Sequence, residues 1–280
     1  MTNRKTFYTL ITGASTGLGK QFALECARRN MNLILISLPD ENLEELCAAI
    51  TSTYQVQVSF REMDLTNRIS VENTARWINE NFPVNMIINN AGLGGSHLFT
   101  DSSIEYLYNI IQLNISAMVI LTRLLLPQLK KRTSAYILNV SSLAAFSPVP
   151  YKTVYPASKA FIQNFSLGLK AELSNTNVNV SVLNPGPILT NLDVSERIDG
   201  QSHYVKLSVM KPEKVACIAI RKMLKGRTVI IPGFMNRFNA FFIRLVPVGF
   251  RILVGTVIFK RELKKRQEGK AHKNLNFEGS

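Results

Sequence analysis

Short apolar runs alternate with longer segments of helical spacing over most of this 280-residue chain. Most of the runs are nearly continuous in aliphatic residues, which is typical of parallel strands buried on both faces. The seven runs are Tyr8–Thr12, Asn32–Ser37, Val56–Phe60, Met86–Ile88, Ala135–Val140, Val178–Leu183 and Thr228–Ile231. The helix-like segments between them are Gly17–Arg29, Glu41–Ala49, Ile69–Asn81, Ile104–Lys130, Pro156–Leu173 and Pro212–Lys225.

Strands that alternate with helices at this spacing form βαβ units. The pattern therefore predicts an α/β protein with a doubly wound parallel sheet of about seven strands and helices on both faces. We find no internal repeat and no low-complexity linker before about residue 232. We expect one domain over residues 1–231 and a C-terminal extension, apolar and then basic, over residues 232–280.

A glycine-rich turn, Thr12-Gly13-Ala14-Ser15-Thr16-Gly17-Leu18-Gly19, follows the first predicted strand and begins the first predicted helix. Gly13 permits a tight turn, Gly17 lets phosphates approach the backbone, and Gly19 lets the helix pack closely on the strand. Free N–H groups and the helix dipole favour an anion at such a turn. In this context the motif predicts a dinucleotide site, although the glycines could also serve turn geometry alone.

A second group, Ser142, Tyr155 and Lys159, can move a proton to or from an alcohol oxygen. Free tyrosine has a pKa of about 10, too high for a base at neutral pH. A lysine at i+4 projects from the same helix face, and its cation favours the phenolate. The serine hydroxyl can hold the substrate oxygen. Ser141 is the neighbour that could be confused with Ser142.

These two groups, with Asn89-Asn90-Ala91-Gly92, Asn114 and Pro185-Gly186, resemble the classical short-chain dehydrogenase/reductase family from about Phe7 to Ile231. The resemblance implies a Rossmann-type fold and an NAD(P)-dependent oxidoreductase that acts on CH-OH and C=O groups. The alternative is a regulatory protein that binds the dinucleotide with little turnover.

The resemblance also implies the roles of four catalytic residues. Tyr155 is the acid/base, Lys159 is its electrostatic partner and a ligand of the nicotinamide ribose, and Ser142 is hydrogen-bonded to the substrate oxygen. Asn114 holds a water that links Lys159 to solvent. For this asparagine a structural bond to neighbouring backbone is the alternative, because a buried amide needs partners.

The cofactor-binding residues are taken from the same resemblance. They are Gly13, Ser15, Thr16, Gly17, Leu18, Gly19, Ser37, Asp64, Leu65, Asn89, Ala91, Gly92, Tyr155, Lys159, Pro185, Gly186, Ile188 and Thr190. Asp64 is equally well explained as a turn aspartate. The second predicted strand ends at Ser37-Leu38-Pro39, without the acid that grips the NAD ribose. That missing acid, Ser37 as a donor and the basic chain favour NADP(H) over NAD(H).

The pocket lining expected from the family is mostly apolar or aromatic and contains no arginine cluster. It comprises Leu93, His97, Leu98, Phe146, Val149, Tyr151 and the segment Leu189–Met210. We therefore expect a lipophilic ketone or secondary alcohol, steroid-like or long-chain acyl. The three histidines lack ligand spacing and Cys-x-x-Cys is absent, so no metal site is expected.

The net charge of +14 is concentrated at the C-terminus, where residues 234–280 carry ten Lys or Arg and three Glu. Phe234–Phe259 is apolar, with arginines at seven-residue intervals that fall near one helix face. It either packs over the substrate pocket, forms a subunit contact or lies in a membrane interface.

The remaining features concern location and partners. No nucleic-acid-binding signature accompanies the basic tail, so no nucleic-acid partner is expected. Three widely spaced cysteines favour a reducing compartment, and the first apolar run is too short for a signal peptide. We expect a cytoplasmic homo-oligomer, with peripheral membrane contact through the extension left open.

Overall fold

The computed structural model describes residues 7–95, 98–150, 152–189, 208–253 and 255–257. Its seven strands form one parallel sheet in the order β3-β2-β1-β4-β5-β6-β7. The strands are β1 (Tyr8–Thr12), β2 (Asn32–Ser37), β3 (Val58–Glu62), β4 (Val84–Asn89), β5 (Ala135–Val140), β6 (Val178–Leu183) and β7 (Val229–Ile230). This confirms the predicted doubly wound sheet, although β3 begins at Val58 rather than at Val56.

Eight helices accompany the sheet in the described part of the chain. They are α1 (Gly17–Arg28), α2 (Leu43–Thr53), α3 (Arg68–Asn81), α4 (Ile104–Ile111), α5 (Met118–Lys130), α6 (Val154–Glu172), α7 (Pro212–Leu224) and α8 (Phe234–Leu245). A π-helical turn, Gln112–Ala117, joins α4 to α5, and a 3₁₀ turn, Leu143–Phe146, follows β5. A further apolar helix, Val248–Val257, follows α8.

Neighbouring strand residues send their side chains to opposite faces of the sheet. Ile11 and Leu35 pack on one face, against α1, α2 and α7, whereas Leu10 and Ile34 pack on the other, against α3 and α5. All four are fully buried. This explains why the strands are continuously apolar rather than alternating.

The span Ile104–Lys130 is long and apolar enough to cross a membrane by length and composition alone. In the fold its second half is a core helix, because Leu121, Leu125 and Leu129 are buried on the same face of the sheet as α3. The buried apolar side chains of this span are therefore accounted for by packing within the domain, whereas others, such as Tyr108, Ile111 and Leu124, are exposed.

In the described part of the C-terminal extension, residues 232–253 and 255–257, there are two helices rather than one. Helix α8 ends at Leu245, before Pro247, and the next helix begins at Val248. The expectation that Arg237, Arg244 and Arg251 share one helix face is therefore wrong, because the break at the proline places the third arginine on another helix.

Strands β1 and β4 are neighbours in the middle of the sheet, where the chain order reverses. In open parallel sheets a crevice forms at this point, outside the carboxyl ends of the strands. The glycine-rich turn after β1 and the Asn-Asn-Ala-Gly segment after β4 meet there.

Candidate active site

The turn after β1 fits an anion. Gly13 and Gly17 have φ of +63° and +52°, which favours glycine at both positions. A Cβ at Gly19 would overlap the carbonyl oxygen of Gly13, so close packing of helix and strand requires glycine there. Thr16 gives α1 no side-chain cap, and its first turn contains no acidic residue. The N–H groups at this helix end therefore suit a pyrophosphate.

Asn90 secures that turn and was not among the predicted site residues. Its Nδ2 donates to the carbonyl oxygens of Thr12 and Gly13, each at 3.0 Å. Its backbone N–H and that of Ala91 donate to the Thr12 hydroxyl, also at 3.0 Å. Successive strand residues face opposite sides of a sheet. Two adjacent asparagines at the end of a strand therefore indicate that one of them points towards the glycine-rich turn.

Asn89 has the opposite orientation. Its Nδ2 donates to Asn139 Oδ1 at 2.8 Å and to the Thr122 hydroxyl at 3.1 Å, both inside the core. Of the predicted residues Asn89, Ala91 and Gly92, Gly92 is among the described residues that line the cleft, together with Asn90. The expected cofactor contacts of Asn89 and Ala91 stay a prediction.

A cleft of about 670 Å³ opens at this end of the sheet. It brings together residues from the turns after β1, β4, β5 and β6 and from the start of α6. Its described lining includes Leu18, Asn90, Gly92, Gly94, Val140, Ser142, Leu143, Val149, Lys152, Tyr155, Lys159, Pro185, Gly186 and Ile188. Three of the four predicted catalytic residues therefore share one cavity.

Tyr155 lies in the first turn of α6, and its hydroxyl is close enough to the Ser142 side chain for that residue to affect its pKa. Burial raises the pKa of the Tyr155 phenol, and Ser142 lowers it by less. The sequence argument stressed stabilisation of the phenolate by Lys159. In the structure the desolvation of the buried Tyr155 hydroxyl is the larger effect on its pKa, because the phenolate would lose its contact with water. The neutral phenol, a proton donor, is the favoured form at neutral pH.

Lys159 is buried one turn further along the same helix face. Its Nζ lies 5.7 Å from the centre of the Tyr155 ring and donates to the Val140 carbonyl oxygen at 3.0 Å. Burial lowers the pKa of Lys159 to about 8, so the cation persists at neutral pH.

The two adjacent serines, Ser141 and Ser142, make different contacts. Ser141 is buried and donates to the Lys159 carbonyl oxygen at 2.7 Å, which holds α6 against β5. The Ser142 hydroxyl accepts from the Ala144 N–H at 3.1 Å and lies in the cleft beside Tyr155. This geometry supports Ser142 as the residue that contacts the substrate.

Asn114 occupies the π-helical turn between α4 and α5. Its Oδ1 accepts from the Leu93 N–H at 2.8 Å, and its Nδ2 donates to the Leu93 carbonyl and the Ser158 hydroxyl, each at 2.9 Å. The side chain thus makes the structural bonds of the alternative interpretation. A Cβ on Gly92 would lie 3.2 Å from both Asn114 Oδ1 and Lys159 Nζ, so the two residues are neighbours. The water relay stays a prediction.

An acidic residue that the sequence motifs do not indicate, Glu41, lies beside the glycine-rich turn. The Ser15 hydroxyl donates to the Glu41 carboxylate, four residues beyond the end of β2. Ser37 donates to the Leu38 carbonyl oxygen at 3.0 Å. Asp64 accepts from the backbone N–H and the hydroxyl of Thr66, each at 2.8 Å, which is the geometry of a turn aspartate.

The Pro185-Gly186 segment is bound to its neighbours on both sides. Leu143 N–H donates to the Pro185 carbonyl oxygen at 3.0 Å. A Cβ at Gly186 would overlap Asn236 of α8, a buried side chain whose Nδ2 donates to the Ser208 and Pro232 carbonyl oxygens, each at 3.0 Å. Glycine is therefore needed here to admit α8.

Several predicted residues lie outside the described part of the chain. They are Thr190, His97, Tyr151 and most of the segment Leu189–Met210.

The C-terminal helices bring two arginines to the segment that follows β5. The Arg244 guanidinium lies 4.3 Å from the centre of the Phe146 ring, and Arg251 donates to the Phe146 carbonyl oxygen at 2.6 Å. Neither arginine is among the described residues that line the cleft, so the expectation that no arginine cluster lines the pocket stays a prediction.

Comparison with known proteins identifies the family. The model for short chain dehydrogenases matches residues 8–200. A very-long-chain 3-oxoacyl-CoA reductase from Anas platyrhynchos is 34% identical over 192 residues, 66% of this chain and 61% of the relative. A ketoacyl reductase from Nostoc sp. is 30% identical over 221 residues, 78% of this chain and 75% of the relative.

A solved short-chain dehydrogenase from Sphingobium yanoikuyae in complex with NADPH has the same fold. It superimposes with a TM-score of 0.74 at 28% identity, covering 84% of this chain and 92% of the other. The match to the first curated relatives spans about three fifths of their length. The chain belongs to the short-chain dehydrogenase family.

Proposed function

We propose that this protein is a nicotinamide-dependent oxidoreductase that reduces a lipophilic acyl ketone to the secondary alcohol. The observation that carries the proposal is the placement of Ser142, Tyr155 and Lys159 in one cleft beside an anion-binding turn. A protein that only bound the dinucleotide would not need a buried phenol paired with a buried amine.

The residues present fit a dinucleotide. The uncapped start of α1 would hold the pyrophosphate, and Lys159 and the Pro185–Ile188 segment lie where the nicotinamide half would bind. Bound nicotinamide supplies the hydride that adds to the carbonyl carbon. All other steps belong to the side chains of this chain.

Proton delivery follows from the protonation states. The neutral Tyr155 phenol donates its proton to the substrate oxygen as that oxygen gains charge, and Ser142 donates a hydrogen bond to the same atom. The phenolate left behind faces the Lys159 cation, which stabilises it. The same pair can act in reverse, with the phenolate as the base that takes the proton of an alcohol.

The substrate proposal rests on the cleft and on the relatives. The lining contributed by Leu18, Leu143 and Val149 is apolar. Two relatives are named as 3-oxoacyl-CoA and ketoacyl reductases. We therefore favour a long-chain 3-ketoacyl thioester over a steroid.

A series of 3-ketoacyl thioesters of increasing chain length tests this proposal, with nicotinamide absorbance as the readout. We expect kcat/KM to rise with chain length, by about fourfold for each buried methylene. Equal turnover of a short hydrophilic ketone would contradict the substrate class. Absence of turnover with every ketone and both cofactors would favour the regulatory alternative.

We propose NADP(H) as the cofactor, with Glu41 limiting the preference. The absence of an acid at the end of β2 and the +14 charge favour the 2′-phosphate. Glu41, held on Ser15, opposes it. Glu41→Gln should raise NADPH affinity about tenfold and leave NADH affinity nearly unchanged; equal effects on both would remove Glu41 from this role. Titration of both reduced cofactors measures the ratio.

We further propose a homo-oligomer. Exposed apolar side chains on α4, α5 and α6 offer a surface for a second copy: Tyr108, Ile111, Leu124, Phe161 and Leu167. Light scattering of the purified chain measures its mass, and a strictly monomeric protein would contradict this.

A further inference from the structure

Helix α8 exposes large apolar side chains and buries small or polar ones. Asn236 and Ala240 are its buried residues, whereas Phe234 is 75% and Phe241 61% exposed. We call the exposed set on α8 and the following helix the C-terminal apolar face. Its members are Phe234, Phe238, Phe241, Phe242, Leu245, Val248, Phe250, Ile252, Leu253 and Val257.

The phenylalanines of this face contact one another. The rings of Phe238 and Phe242 are 4.3 Å apart between centres, and those of Phe241 and Phe242 are 5.5 Å apart. They therefore form a patch rather than scattered exposed residues. Contiguous apolar patches on soluble domains mark sites of contact with a partner or a membrane.

The chain around this face is strongly basic. From Lys214 to Val257 it contains eight Lys or Arg and no Asp or Glu. Arg221, Lys222, Arg227 and Arg237 are close enough for the three arginines to lower the pKa of Lys222, to which burial contributes most. Within the described residues, no carboxylate forms a salt bridge with any of the four. In the part of the chain that the structure describes, this basic cluster therefore has no carboxylate paired with it.

We infer that the C-terminal apolar face and the adjoining basic cluster dock on the surface of an anionic lipid bilayer. Aromatic and aliphatic side chains would enter the acyl boundary, and the arginines and Lys222 would meet the headgroups. The ten residues of Val248–Val257 are too few to span a bilayer, so these helices would lie in the interface.

Charge decides between a bilayer and a second copy of the chain. A two-fold interface brings the same patch of both subunits together. Two copies of this segment would oppose cations to cations without a carboxylate between Lys214 and Val257 to compensate. An anionic lipid surface supplies the missing charge. The subunit contact therefore belongs elsewhere on the molecule.

Flotation of the full-length protein with lipid vesicles tests the inference without reference to catalysis. We expect association with phosphatidylcholine vesicles that contain phosphatidylglycerol and none with phosphatidylcholine alone. Because screening weakens attraction to headgroups, added salt should reduce the association. Protein that stays in solution with the anionic vesicles at low salt would overturn the inference.

Exposed residues provide variants that should fold normally. Phe238→Ser with Phe241→Ser should lower the partition coefficient about tenfold or more, because both rings leave the acyl boundary. The matched control, Ile69→Ser with Ile104→Ser, removes exposed apolar side chains from α3 and α4. It should change partitioning less than about twofold. An equal loss in both pairs would overturn the assignment of the face.

The basic cluster has its own matched pair. Arg227→Gln and Arg237→Gln should each lower partitioning about fivefold, whereas the exposed Arg76→Gln and Arg123→Gln should not change it. Light scattering, which measures the oligomeric mass, distinguishes docking on a bilayer from contact with a second copy of the chain. If the phenylalanine variants change the oligomeric mass and leave vesicle association intact, the face is a subunit interface and the inference is wrong.

Discussion

Helices α1 and α8 are each twelve residues long, and both start without a side-chain cap. They differ in the kind of side chain that they bury. Helix α1 buries Leu18, Phe22 and Cys26, as expected of an amphipathic helix on a sheet. Helix α8 buries Asn236 and Ala240 and leaves its phenylalanines in water.

The difference shows what each helix is adapted to. The composition of α1 is explained by the domain, because its apolar side chains fill the core on one face of the sheet. The composition of α8 is not explained by packing in the single chain. Its Asn236 amide packs against Gly186, and its exposed aromatic residues are the ones that we infer to meet a lipid surface.

The most direct test of this comparison truncates one phenylalanine in each helix. Phe22 is fully buried, so Phe22→Ala should cost about 3–5 kcal/mol of unfolding free energy. Phe241→Ala should change it by no more than about 0.5 kcal/mol. Urea unfolding measures both. A large loss in the second variant would mean that the ring packs within the protein.

Lys159 is the converse of the exposed phenylalanines, because it is a charged side chain that is buried inside the domain. Its pKa of about 8, against an ordinary 10.5, means that burial of the cation opposes folding. Lys159→Met should therefore raise the unfolding free energy by up to about 3 kcal/mol below pH 8. It should reduce turnover about a hundredfold or more and weaken cofactor binding.

The pH dependence has a defined sign. Between pH 8 and 10.5 the unfolded native chain binds the proton that the folded chain has lost, so native stability rises with pH in this window. The advantage of the methionine variant should shrink over the same range. A constant difference would show that the stability change does not come from titration of Lys159.

Gly94 lies in the cleft beside the Tyr155 ring. A Cβ at this position would lie 2.7 Å from the Tyr155 ring, so Gly94→Ala should displace the phenol and reduce turnover about a hundredfold. Gly168→Ala in α6 is the control, because nothing lies within 4 Å of its Cβ. The control should stabilise the helix by about 0.5–1 kcal/mol and leave turnover unchanged. Normal activity in Gly94→Ala would argue against a fixed Tyr155 position.

Gly186 lies in the cleft and against Asn236 of α8. Gly186→Ala should cost about 1–3 kcal/mol of stability, because the new methyl group meets Asn236. Adding Asn236→Ala should recover part of that loss. Strict additivity in the double variant, measured by urea unfolding, would show that the two residues do not contact each other.

The sheet was predictable from sequence because parallel strands buried on both faces require continuous aliphatic runs. Tyr155 and Lys159 were predictable because i+4 spacing fixes a common helix face. Neither reason applies to Glu41, whose contact with Ser15 depends on the path of the β2–α2 loop. Asn90 was missed because the choice between adjacent asparagines depends on which side of β4 faces the turn.

Helix α8 shows the limit of periodicity. Spacing predicts that apolar residues share a face, and it does not say whether that face meets the core or the outside. The π-helical turn at Asn114 was likewise hidden, because the sequence reads as one continuous apolar helix. Both depend on contacts between residues distant in sequence.

The Tyr155→Phe variant decides whether Tyr155 protonates a ketone held in the cleft. NADPH oxidation should be followed with a long-chain 3-ketoacyl thioester, and NADPH binding should be titrated in parallel. The account predicts that turnover falls at least about a hundredfold while the Kd for NADPH stays within about twofold, because the ring remains and only the proton donor is lost. Turnover close to that of the native protein would contradict it.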